Sequence, residues 1–311
     1  MKKKYLILLL TVILSGCSLW PFSSQQFEET WVIEPTQMVA PGHTFKRVQL
    51  GNFFSKTTMY SISSEQELAL LLYKNYEIGI LEVPYISEAD ISLQRVYLYL
   101  DTLMVSPFSL KQGIIEYKTA GSIQYKTMYI RIEPDEKYKQ DVIRMSNAII
   151  QSLITADMTD VQKIETIHDY LVKTIAYDES VLELDLSKYV DHPSFTAYGA
   201  LNLKVAVCSG YARAFLQIMR LLDIRAGIVS AQSIQHAWNI VYAGGEWLYL
   251  DATWNDPIPD VPGRVLRTYF LQSRRRFLAD KEHRFDVSSE NTLDADDVES
   301  FMQYVYSKIS Q

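Results

Sequence analysis

Val207-Cys208-Ser209-Gly210-Tyr211-Ala212-Arg213-Ala214-Phe215 marks a change of backbone state. Before it, residues 203–207 read as a strand or loop. After Gly210, apolar residues fall at Tyr211, Ala214, Phe215, Ile218, Met219 and Leu222, the spacing of a helix with one buried face. Cys208 therefore stands at a helix start. A thiol there meets the positive end of the helix macrodipole, which favours the nucleophilic thiolate. Alone, such a cysteine is more often a small buried hydrophobe.

A thiolate needs a group to hold and deliver the proton, and that group needs an orienter. His236 opens an apolar run, Ala237 to Tyr242, and a second run, Trp247 to Leu250, ends at Asp251. Gly244-Gly245 between them signals a turn, so the two runs read as an antiparallel hairpin. A two-residue turn at Ala243-Gly244 puts His236 directly opposite Asp251. A longer turn shifts the register by one or two residues. In each register the imidazole and the carboxylate remain direct or diagonal cross-strand neighbours. One helix start and one hairpin thus supply nucleophile, base and orienter: Cys208, His236 and Asp251.

These residues resemble a family. Val207-Cys208-Ser209-Gly210-Tyr211-Ala212, His236-Ala237-Trp238-Asn239 and Asp251-Ala252-Thr253-Trp254 look like the three signature blocks of the transglutaminase-like superfamily. Ile167-His168-Asp169-Tyr170-Leu171 with Tyr177-Asp178 looks like the leading helix of its bacterial branch, Thr196 to Leu201 like the segment before the nucleophile, and Tyr269-Phe270-Leu271 like the trailing strand. The resemblance spans roughly residues 155–285. It implies a papain-like fold with the cysteine helix packed on an antiparallel sheet, and Cys208 as nucleophile, His236 as general base and acid, and Asp251 as orienter. The Cys208 backbone N–H is one expected oxyanion donor, and Tyr198 is the candidate side-chain donor, with packing as its alternative role. His168, on an amphipathic helix at 160–175, reads as structural.

Lys2-Lys3-Lys4 followed by the apolar Tyr5 to Leu14 reads as an export leader, too short to span a bilayer. Leu14-Ser15-Gly16-Cys17 resembles a bacterial lipobox, which implies acylation of Cys17 and anchoring at a membrane surface, the outer membrane if the envelope has one. The chain has two cysteines; with one used for lipid, Cys208 remains as a single exported thiol. Loss of the three leader lysines takes the formal charge from −7 to about −10, which argues against nucleic-acid binding. No Cys/His group has metal-ligand spacing, and no phosphate loop or dinucleotide fingerprint is present, so neither metal nor cofactor is expected.

The expected architecture is α+β: leader 1–17, tether 18–41, a small α+β domain 42–154, the transglutaminase-like domain 155–285, and a helical tail 286–311. In the first domain, Ser64 and Glu67 are shaped like a capping box, Ile78 to Val83 reads as a strand, Ser87 to Met104 as a helix, and Ile114 to Lys118 pairs with Tyr125 to Ile132 as a hairpin. The expected function is a membrane-anchored thiol enzyme that cleaves amide bonds of a peptide or protein in the cell envelope, with hydrolysis favoured over amine transfer. The alternative is a lipoprotein that uses the same fold to bind a peptide or partner protein without catalysis.

Overall fold

The computed structural model describes residues 45, 47–52, 55–120, 123–183, 192–261, 263–285 and 292–309. The leader, Cys17 and the tether lie outside the described residues, as do 184–191 and 286–291. Among the described residues no helix is long and apolar enough to cross a membrane.

The site is organised by a three-stranded antiparallel sheet: β8 (Ala226–Ala231), β9 (His236–Ala243) and β10 (Glu246–Leu250), with β9 central. Successive side chains of a strand point to opposite faces. Here both faces are buried, which is why these strands read as near-continuous apolar runs. Ala226, Ile228, Ala237, Val241 and Leu250 face one core; Val229, Ala231, Trp238, Ile240 and Tyr249 face another.

On the first face lies α5 (Cys208–Leu221), joined by α3 (Lys139–Leu153) and α4 (Asp160–Thr174). The expected helical stripe is the one buried: Tyr211, Ala214, Phe215, Ile218 and Met219 are enclosed. Burial contributes roughly 1.5–3 kcal/mol for each large apolar side chain. Gly210 is required by close approach, because a Cβ there would sit 2.4 Å from the Ser194 carbonyl oxygen. Helix α4 begins with a reciprocal capping box, Thr159 with Gln162.

The second face is covered by elements from both ends of the chain. These are α1 (Glu65–Glu77), α2 (Leu93–Leu103) and, beyond the single-turn α6 (Arg274–Phe277), α7 (Ala295–Ile309). Helices α1 and α2 also cover a five-stranded sheet of order β1-β2-β3-β5-β4: β1 (Arg47–Asn52), β2 (Ser55–Ile62), β3 (Glu82–Ser87), β4 (Phe108–Ala120) and β5 (Ile123–Pro134). A buried ion pair joins the two halves. Arg213 on α5 donates to Asp101 on α2 at 2.6 Å and to the Met104 carbonyl at 2.7 Å, and Ser230 on β8 donates to the same carboxylate.

Several local expectations shift. The capping box at Ser64 is half formed: Ser64 accepts the Glu67 N–H, but the Glu67 carboxylate turns to the Ser63 N–H. The strand expected at 78–83 begins at Glu82, because Ile78 caps α1 and Gly79 takes φ +80°. The helix expected from Ser87 starts at Leu93 behind the Ser92 cap. The trailing segment 269–271 is no regular strand; Leu271 takes φ +45°, and the segment closes on β10 through a Tyr249–Gln272 bridge.

Candidate active site

Cys208 is the first residue of α5, and Val207 before it offers no side-chain cap. The first N–H groups of a helix have no intrahelical acceptor, so they are available to a substrate oxygen. A two-stranded parallel ladder sets the approach: β6 (Ala176–Tyr177) pairs with β7 (Val205–Ala206), Tyr177 opposite Ala206. Residues 199–203 form a π-turn ended by Lys204 at φ +63°. Leu203 and Val205 are exposed, whereas Ala206 and Val207 are buried, so the run before the cysteine is only partly a buried strand.

The β9–β10 hairpin turns at Gly244-Gly245, both with positive φ, and pairs Ala243 with Glu246 and Asn239 with Leu250. Two successive positive φ values suit the twist of a tight hairpin and favour glycine. The turn is thus one residue later than Ala243-Gly244. Continuing the register sets Asp251 opposite Trp238 and makes His236 its diagonal neighbour on the same face. His236 Nε2 lies 2.6 Å from Asp251 Oδ2. Cys208 is the ring's other electrostatic neighbour, and with Nε2 committed to Asp251, Nδ1 is the nitrogen left for the thiol. Asn239, three residues along β9 from His236 and on its opposite face, donates to the Ala212 carbonyl of α5 and fixes the strand against the helix.

Burial disfavours a charged His236, but the Asp251 carboxylate and then Cys208 outweigh it and lift the ring to about 10. Burial likewise pushes Asp251 up; His236 and a second histidine, His283, outweigh it and hold the carboxyl below its ordinary range. Asp251 is fully buried, and its Oδ1 accepts the Trp254 N–H at 3.0 Å.

The structure brings Cys208, His236 and Asp251 together. Tyr198 lies elsewhere: its ring stacks on Tyr138 at 3.9 Å and lines a cleft with Gln217 and Arg220. Tyr177 is the tyrosine in the field of Cys208. Burial raises its phenol first, and the charge of Cys208 adds to the rise, so the hydroxyl stays a donor. The sequence carried a hint, since Tyr177-Asp178 follows the leading helix directly. His168 is buried, with its ring pulled down by burial; it contacts Asp169 through Nδ1 and Asn255 through Nε2 and ties α4 to the loop after Asp251.

Sequence reading missed His283, whose Nε2 lies 2.8 Å from Asp251 Oδ2. His236, Asp251 and His283 offer three ligand atoms within 4.8 Å of one another, a donor set that could hold a metal ion. The protein chemistry fits protons better. A ligating imidazole normally donates its second N–H to an acceptor, and His283 Nδ1 is buried with no such partner among the described residues.

Residues 147–252 match the family model described as the transglutaminase-like superfamily. The likeness to that family lies in this segment, about a third of the chain. The matched segment begins within α3 and ends just past Asp251, so it includes all three of Cys208, His236 and Asp251. Human kyphoscoliosis peptidase is 25% identical over 154 residues, 43% of this chain and 22% of that protein. The mouse protein of the same name is 24% identical over 128 residues, 37% of this chain and 19% of its own. The chain thus spans about a fifth of the length of these curated relatives. Among solved structures, one described as a TGase is similar with TM-score 0.33 and 14% identity, covering 59% of this chain and 54% of that one.

Proposed function

We propose that the protein is a thiol enzyme that cleaves amide bonds of peptide or protein substrates. The observation that carries this reading is a histidine held between a helix-start cysteine and a fully buried carboxylate, with 2.6 Å between His236 Nε2 and Asp251 Oδ2. A kyphoscoliosis peptidase among the relatives of the core is in keeping with it.

The Cys208 thiolate attacks the carbonyl carbon, and an S–C bond forms as the oxygen takes the negative charge. The Cys208 backbone N–H and the Tyr177 hydroxyl are the proposed donors to that oxygen. The C–N bond then breaks, and His236 Nδ1 gives its proton to the departing amine, leaving a thioester. Water loses a proton to His236 and attacks the thioester; the S–C bond breaks and the acid leaves. Transfer to an amine needs water kept out. Cys208 is half-buried, and Trp254 beside His236 is exposed, so hydrolysis is favoured. Acylation of Cys17 and a place at the cell-envelope surface are proposed from the leader sequence.

The test uses the full-length chain carrying Cys17→Ser, so that Cys208 is the single thiol. Alkylation by iodoacetamide is followed across pH, beside His236→Ala. Rapid alkylation at neutral pH that is lost in the variant supports the reading. Equal, slow profiles reject it and leave the non-catalytic binding protein.

A further inference from the structure

We propose that His283 is a positioning residue for the Cys208–His236 pair: its Nε2–H fixes the Asp251 carboxylate that holds His236. The inference rests on the thiol-enzyme reading above.

His283 ends a short turn, Lys281–His283, that starts at Asp280. Asp280 accepts the Glu282 N–H and the Tyr269 hydroxyl, which pins the turn to the segment closing on β10. The imidazole is fully buried. Its ring packs on Phe277 at 4.4 Å, Tyr269 at 4.5 Å, Trp254 at 5.1 Å and Trp238 at 5.5 Å. This wall of aromatic rings keeps water off the ring. With Nδ1 lacking any partner among the described residues and Oδ2 an acceptor, the hydrogen-bonding proton sits on Nε2 and points at Asp251 Oδ2.

Both histidines therefore donate to one carboxylate oxygen, while the other oxygen takes the Trp254 N–H. A fully buried carboxylate is costly unless paired and hydrogen-bonded. His236 must itself take up and release a proton in each cycle, so it cannot be the constant donor. His283 has no thiol to serve and can be. It keeps Oδ2 aimed at β9 while His236 changes charge. Among the described residues, the other charged or titratable groups around this cluster include Cys208 from α5, His168 from α4 through Asn255, and Tyr269, Asp280, Lys281 and Glu282 from the closing segment.

The experiment is the pH profile of Cys208 alkylation in the full-length Cys17→Ser chain. It compares His283→Phe, which keeps an aromatic ring and loses the donor, with His283→Gln, which keeps an N–H. In His283→Phe the optimum rate falls about ten- to a hundredfold, the size of a lost charge-assisted hydrogen bond. The acidic limb moves up and the alkaline limb moves down, because a less firmly ionised Asp251 stabilises the imidazolium less. His283→Gln restores both limbs. A role in packing alone leaves the limbs of His283→Phe at their parent positions, and that result overturns the proposal. His236→Ala, run alongside, separates the two failures: an unchanged profile there removes the Cys208–His236 pair and the inference with it. If His283→Phe does not fold, nitrogen-15 NMR of the parent decides, since a proton on Nδ1 of His283 contradicts the assignment.

Discussion

Asp101 and Asp251 are both buried carboxylates held by cationic side chains, and they are built for opposite ends. Asp101 meets Arg213, whose guanidinium also serves the Met104 carbonyl, and its second oxygen takes the Ser230 hydroxyl. An arginine does not release its proton, so this pair has one state. Asp251 meets His236, an imidazole that can hold or release a proton, is lifted here to about 10, and has the Cys208 thiol as its other neighbour. The same geometry of oxygen and N–H is a rivet in one place and a proton gate in the other. The identity of the cation decides between them.

Matched substitutions break this comparison where it is strongest. Asp251→Asn reverses the donor and acceptor demands on His236, and the rate of Cys208 alkylation or peptide cleavage is expected to fall about 10⁴-fold with the fold retained. Asp101→Asn leaves Arg213 uncompensated in the interior and is expected to cost about 3–5 kcal/mol by urea unfolding. Its folded fraction keeps the parent alkylation profile. Exchanged outcomes would mean that the two sites have been assigned the wrong way round.

The oxyanion assignment sharpens the contrast at smaller scale. Tyr177→Phe is expected to lower turnover roughly 10²- to 10³-fold, whereas Tyr198→Phe, on the stacked Tyr138 side, moves it little. Activity measured on both variants, with binding read separately, chooses between the hydroxyls.

The gate also writes itself into stability. His236 rises in the folded protein from 6.5 to about 10, so its contribution is full below 6.5 and is lost as pH climbs toward 10. Thermal midpoints should fall across that interval in the parent, and His236→Ala should remove this part of the slope. Asp251 acts with the opposite sign: held low when folded, it adds stability above 3.8 that is lost as the pH drops further. The smallest effect belongs to the solvent. Arg144→Ala, at an exposed pair with Asp141, should change unfolding free energy by no more than about 0.5 kcal/mol.

Much of the site was legible because it rests on local rules. The helix start at Cys208 follows from apolar spacing, and the hairpin from a glycine pair. What stayed hidden depends on contacts between distant segments. The register hinged on which two of Ala243, Gly244 and Gly245 make the turn, and the two positive φ values settled it. His283 stands 32 residues beyond Asp251 on a single turn with no periodicity, and only the aromatic packing around it reveals its place. In the first half, the capping turn at Gly79 displaced the expected strand and the Ser92 cap delayed the expected helix.

The sheet that carries His236 is covered on its second face by α1, α2 and α7, and all three lie outside residues 147–252. A protease that cut the chain at those two limits would leave Trp238, Ile240 and Tyr249 facing water and would discard His283. The segment that bears the family likeness therefore leaves one face of its sheet uncovered, and the flanking sequence completes that core.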